Sequence, residues 1–132
     1  MDCIFCKIIN NDIPSFKIYE DNHYLAFLDI RPLNPGHTLI IPKQHIRWVW
    51  DSKDIQGYYA VVQKVANAIR KTFEIEQVVS LVFGEEVHHA HVWLVPRLEN
   101  DGHGLSIDLS KTKEISTDEM QEIAENIKKN IN

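Results

Sequence analysis

Val87-His88-His89-Ala90-His91-Val92-Trp93-Leu94-Val95-Pro96-Arg97 decides how this chain is read, because three imidazoles fall inside an apolar, β-branched run with the look of a buried strand. A strand points alternate side chains to opposite faces, so Val87, His89, His91, Trp93 and Val95 share one face and His88, Ala90, Val92 and Leu94 the other. His89 and His91 are then same-side neighbours, a spacing that can hold a metal, a phosphate or a nucleophile. The bland alternative is two core histidines with satisfied ring nitrogens.

Upstream of this stretch, Gln77 to Val82 reads as a second strand, joined to it tightly around Gly84. Asp51 to Phe73 is a helix: Ile55, Tyr58, Tyr59, Val62, Val65, Ala66, Ile69 and Phe73 recur at helical spacing, and Asp51 or Ser52 can cap its start. His37 to Pro42 reads as a strand ended by proline, and Lys17 to Glu20 with His23 to Asp29 as a hairpin turning at Asp21-Asn22. Phe5 to Asn10 is a short turn or helix. Downstream, Asn100 to Lys113 reads as a loop, and Ser116 to Glu119 as a capping box before a helix from Met120 to Ile131. Strands, one long helix, more strands and a terminal helix predict an α+β fold with a mainly antiparallel sheet.

A length of 132 residues predicts a single domain over positions 1 to 132. Hydrophobic residues make up 44% and charged residues 25%, as in ordinary globular chains. No apolar run reaches membrane-spanning length and the first residues lack the order of a signal peptide, so the expected location is cytoplasmic and no membrane partner is expected. With a net charge of -5 and no basic stripe, nucleic acid is not an expected partner, and an anionic ligand must be met by a local site.

Both cysteines lie in Cys3-Ile4-Phe5-Cys6. In a reducing compartment such a pair is metal-binding or redox-active more often than a structural disulfide, and the absence of a surrounding βαβ pattern disfavours a thioredoxin-like role. Two further ligands are needed, and seven histidines offer candidates.

Four segments together resemble the histidine triad (HIT) family of nucleotide hydrolases and transferases. They are Cys3 to Ile9; Tyr19-Glu20-Asp21 with Ala26 to Ile30; Pro35-Gly36-His37-Thr38-Leu39-Ile40-Ile41-Pro42-Lys43-Gln44-His45; and His89 to Arg97. The resemblance implies a five-stranded antiparallel sheet with a long central helix and a C-terminal helix, paired as a homodimer. It implies that His91 is the nucleophile toward the α-phosphorus of a nucleotide, with its far ring nitrogen held by the main-chain carbonyl of His89. It implies a structural zinc on Cys3, Cys6, His45 and His89, a closed set of two thiolates and two imidazoles, though His37 or His88 could replace one ligand. For a purine nucleotide or nucleoside it implies Asp29 on the ribose hydroxyls and Phe5, Ile8, Ile13, Phe27 and Ile30 around the base.

Two departures from the family pattern stand out. Trp93 occupies the third histidine position, and an indole donates one hydrogen bond but transfers no proton at ordinary pH. A lost general acid costs roughly 10² to 10⁴ in rate. The loop Phe83-Gly84-Glu85-Glu86 is shorter than its relatives' and places Glu85 and Glu86 where they carry glutamine and a small hydroxyl residue against the α-phosphate. An ionised carboxylate only accepts hydrogen bonds, so facing a phosphate it repels. The sequence therefore admits a nucleotide phosphoramidase, hydrolase or transferase working through His91, a nucleotide- or nucleoside-binding module with weak or no catalysis, or a zinc-stabilised interaction scaffold. Gly84, Glu85 and Trp93 line the phosphate side in any nucleotide reading.

Overall fold

Five strands lie in one antiparallel sheet in the order β1-β2-β3-β5-β4, in a computed structural model that describes residues 3–131. The chain runs through α1 (Ile4–Ile9), β1 (Lys17–Glu20), β2 (Tyr24–Leu28), β3 (Thr38–Pro42), a single 3₁₀ turn (Val49–Asp51), α2 (Ile55–Phe73), β4 (Val78–Val82), β5 (Val92–Pro96) and α3 (Thr117–Lys129). The expected α+β architecture, with a long central helix and a terminal one, is the one observed.

Period-two alternation divides the apolar residues between the two sheet faces. Tyr24, Ala26 and Leu28 of β2, Ile40 of β3, and Val92 and Leu94 of β5 pack in one cluster with Tyr58, Val62, Val65 and Ile69 of α2 and Met120, Ala124 and Ile127 of α3. Leu25 and Phe27 of β2 and Leu39 and Ile41 of β3 point the other way, into a second cluster with Cys3, Phe5 and Ile8, against which Trp93 of β5 packs. Each fully buried aliphatic or aromatic side chain here contributes roughly 1.5 to 3 kcal/mol. The large helices thus cover one face, and the small α1 roofs the other. Tyr58 ties the layers together: its hydroxyl donates to the Ile40 carbonyl at 2.7 Å from a fully buried position.

Three boundaries differ from the sequence expectation. The helix cap is Asp54, whose side chain accepts from the Gly57 N–H; Asp51 instead closes its own 3₁₀ turn by accepting from the Trp48 N–H, and Ser52 is extended. At the other end of the chain, Ser116 accepts from the Glu119 N–H as expected, but the helix starts at Thr117 rather than Met120.

The start of β5 also differs. Pairing with β3 and β4 begins at Val92, opposite Ile40 and Val82, so the histidines precede the strand rather than lying in it. Their main-chain groups are diverted elsewhere. The Ala90 N–H goes to the Ile46 carbonyl at 2.8 Å, and the His89 carbonyl accepts from the His91 ring. The expected alternation of faces survives this diversion, since Ala90 packs under α2 while the His89 and His91 rings both lie against Phe5.

Residues 101–113 form no helix or strand, yet they lock the β2–β3 connection. The Lys113 ammonium donates to the Leu33 carbonyl, the Asn34 side chain and the Asp101 carbonyl, and the His103 Nε2–H donates to the Leu33 carbonyl at 2.9 Å. The Arg97 guanidinium beside Asp101 holds that carboxyl well below the usual range. Gly36 sits in this connection with φ 90, where any Cβ would collide with the Phe73 ring.

Candidate functional site

Cys3, Cys6, His45 and His89 meet above the sheet, with one ligand atom from each lying within 4.8 Å of all the others. Cys3 caps α1, its sulfur accepting from the Cys6 N–H, and the single turn between the two cysteines turns both sulfurs to the same side. The Cys3 Sγ and Cys6 Sγ lie 3.4 and 3.6 Å from His89 Nδ1; Cys6 Sγ is 3.4 Å and His89 Nδ1 is 3.1 Å from His45 Nδ1. Zinc bonds of about 2.0 to 2.3 Å at tetrahedral angles require ligand separations of roughly 3.3 to 3.8 Å; the four short separations, 3.1 to 3.6 Å, come near that range, and the remaining pairs, within 4.8 Å, would draw in on the ion. The protonation pattern fits as well. His89 Nε2 lies 2.7 Å from the Pro42 carbonyl, a contact only an N–H can make, which leaves the Nδ1 lone pair aimed into the cluster. Without a cation, burial first and the Cys3 thiol second push the Cys6 thiol up to about 11. Neither His37 nor His88 belongs to the cluster; His88 faces solvent and His37 lies beside Asp29 and Trp93.

His91 is 6% exposed and its Nδ1 stands 2.7 Å from the His89 carbonyl. Only Nδ1–H satisfies that carbonyl, so Nε2 carries the lone pair. Burial holds the imidazole below its ordinary protonation range, with the charge of Arg47 acting the same way; the bond to the His89 carbonyl and the nearby Asp29 charge act in opposition. A neutral ring with a free, oriented nitrogen is suited to nucleophilic attack.

Asp29 follows β2 directly and leads into the locked connection. Its Oδ1 accepts from the Arg31 N–H at 2.8 Å, while Oδ2 lies 3.7 Å from His37 Nε2 and keeps its accepting capacity. Burial raises the affinity of this carboxyl for a proton, and the charge of Glu86 adds to that, against the lowering effects of the Arg31 N–H, the Arg31 charge and His91. His37 is 1% exposed; its Nδ1 accepts from the Leu33 N–H, and its Nε2 is buried without a hydrogen-bond partner among the described residues. Trp93 packs over the His37 ring at 4.7 Å between centroids and against Phe83 at the same separation. The indole therefore fills the space beside His37 on the His91 side of the sheet.

Of the expected base clamp, Phe5, Ile8 and Phe27 are buried together and Ile13 packs at their margin, with Phe5 edge-on to Phe27 at 5.7 Å. Ile30 stands apart, 73% exposed, because the chain has already turned away from the sheet after Asp29. Gly84 is buried; Glu85 and Glu86 face solvent. Two residues near the site were not singled out from sequence for it. The sequence offers His37 only as a possible metal ligand, and its approach to Asp29 is a matter of the fold. Arg47 carried no signal at all, since its link to Gly84 spans 37 positions.

A HIT domain family model matches residues 10–100. The chain is 34% identical to the adenosine 5'-monophosphoramidase of Schizosaccharomyces pombe over 134 residues, covering 99% of each chain. Its fold superposes on a Hit-like protein from Bartonella henselae with a TM-score of 0.86 at 34% identity, covering 98% of this chain and 96% of that one. A zinc-bound histidine triad family protein from Mycobacterium smegmatis matches with a TM-score of 0.75 at 30% identity, over 98% of this chain and 93% of the other.

Proposed function

The chain belongs to the HIT domain family, and from that premise we propose that it cleaves nucleotides at the α-phosphate through His91. The observation that carries this reading is the 2.7 Å contact from His91 Nδ1 to the His89 carbonyl, which leaves Nε2 free and neutral beside Asp29. In this reading Nε2 attacks the α-phosphorus and the bond to the leaving nitrogen or oxygen breaks. The departing amine takes its proton from water, because Trp93 has none to give. Water then hydrolyses the nucleotidyl-histidine, releasing the nucleoside monophosphate and regenerating the imidazole. Asp29 accepts from the ribose hydroxyls, and Phe5, Ile8, Phe27 and Ile13 enclose a purine. A relative named as an adenosine 5'-monophosphoramidase supports a P–N bond as substrate.

Cys3, Cys6, His45 and His89 would hold a structural zinc as a complete set of four ligands. Bound there, it would fasten α1, and with it Phe5, over His91. We further propose that the whole chain acts as one domain and pairs as a homodimer. β4 is an edge strand with half-buried Val78, Val79, Leu81 and Val82, and Trp50 and Ile55 are also exposed. No helix of the described residues is long and apolar enough to cross a membrane.

Incubation with adenosine 5'-phosphoramidate tests the central claim. AMP and ammonia should accumulate, and His91→Asn should abolish turnover; unchanged turnover in that variant refutes His91 as nucleophile. Trp93 in the third position favours a second reading, a nucleoside-binding module with little catalysis. Calorimetry would then show adenosine binding that depends on Asp29, with no AMP formed.

A further inference from the structure

A phosphate brought to His91 enters surroundings short of positive charge. Asp29, Glu85 and Glu86 are acids and Trp93 is neutral. Arg47 lies on the loop after β3. Its Nη1–H donates to the Gly84 carbonyl at 2.7 Å, and its guanidinium carbon lies 3.7 Å from the centre of the Trp48 ring. The preceding residue is fastened to the His89–His91 segment by the Ala90 N–H bond to the Ile46 carbonyl. One end of the phosphate loop and the segment bearing His91 are therefore both tied to the short stretch that carries Arg47.

The guanidinium has five N–H donors, and among the described residues one hydrogen bond and no ion pair engages them. Neither Glu85 nor Glu86 pairs with it. Stacking on Trp48 fixes the plane of the fork, so little side-chain freedom remains to be lost on meeting an anion.

We propose that Arg47 is the phosphate-binding cation of this site, recognising the 5'-phosphate of a nucleotide seated at His91 and offsetting the acidic loop residues Glu85 and Glu86. The inference rests on the nucleotide reading of the site given above. It assigns Arg47 a specific role: distinguishing nucleotide from nucleoside.

Calorimetric titration of the zinc-loaded protein with AMP and with adenosine tests it, using wild type, Arg47→Gln and Arg47→Lys. Removing a charge-assisted hydrogen bond should weaken AMP about 10- to 100-fold in Arg47→Gln while adenosine changes less than about twofold. Arg47→Lys should fall between the two, keeping the charge and losing the fork. Guanidinium ion at millimolar concentration should restore part of the AMP affinity of Arg47→Gln. Unchanged AMP affinity in Arg47→Gln overturns the assignment, and so does an equal loss for AMP and adenosine, the mark of a residue that only braces the Gly84 loop. If wild type binds neither ligand, the nucleotide reading itself falls; if wild type binds both and Arg47→Gln matches it, only Arg47 does.

Discussion

His37 makes folding stability fall in mild acid, by an amount that follows from its surroundings. Burial alone pushes its imidazole down to about 3 from an ordinary 6.5. Its Nδ1 is already occupied by the Leu33 N–H at 3.1 Å, so a second proton finds no place without breaking that bond. Below pH 6.5 the unfolded chain binds a proton that the native state refuses. Stability is therefore full above about pH 6.5 and declines as pH falls toward about 3. Each pH unit in that window is worth about 1.4 kcal/mol, so at pH 5 the loss from this one residue is about 2 kcal/mol. His37→Asn isolates it, because the asparagine Oδ1 can replace Nδ1 as acceptor for Leu33 while nothing titrates. At pH 7.5 the variant should be less stable by about 2 kcal/mol, from the cavity left beside Trp93. Urea unfolding of zinc-saturated protein, followed by far-ultraviolet circular dichroism, should show that deficit shrinking by about 1.4 kcal/mol per pH unit below 6.5 and vanishing near pH 5. Parallel curves for the two proteins over that range would refute the reasoning.

Protein purified without added metal should contain about one zinc per chain, and Cys6→Ser or strong chelation should lower its thermal midpoint; a full-strength fold in metal-free protein sinks the structural assignment. Trp93→His should raise turnover of adenosine phosphoramidates with poorly departing amines by about 10- to 100-fold, since an imidazole can supply the proton an indole lacks. The same change should cost about 1 to 3 kcal/mol of stability, because the indole packs on His37 and Phe83. An unaltered rate in a folded variant means proton delivery at this position does not limit the reaction.

Much of the architecture was legible because it follows from local periodicity. The alternation Leu25/Phe27 against Tyr24/Ala26/Leu28 places each side chain on its observed face. The stripe of α2 was read in the same way, but its start at Asp54 was missed because Asp51, an equally good cap by type, is consumed by the 3₁₀ turn. The β5 boundary was missed for a related reason. His89 and Ala90 have strand-like neighbours, and only the Ile46 carbonyl and the His91 ring, both outside the local pattern, remove their main-chain groups from the ladder.

The same division runs through the site. Residue types and short spacings were enough to mark the Cys3–Cys6 pair and the same-side His89 and His91, while His45 and Asp29 came only with the resemblance to the HIT family. Tertiary structure alone decided that Cys3 and His89, 86 positions apart, stand 3.4 Å from each other, that His37 faces Asp29 rather than a metal, and that Arg47 is fastened to Gly84. Side-chain periodicity is set by steric and solvent forces acting over a few residues. Such meetings depend on strand register and on which loop carbonyl captures which N–H, and those choices are settled only when distant segments pack.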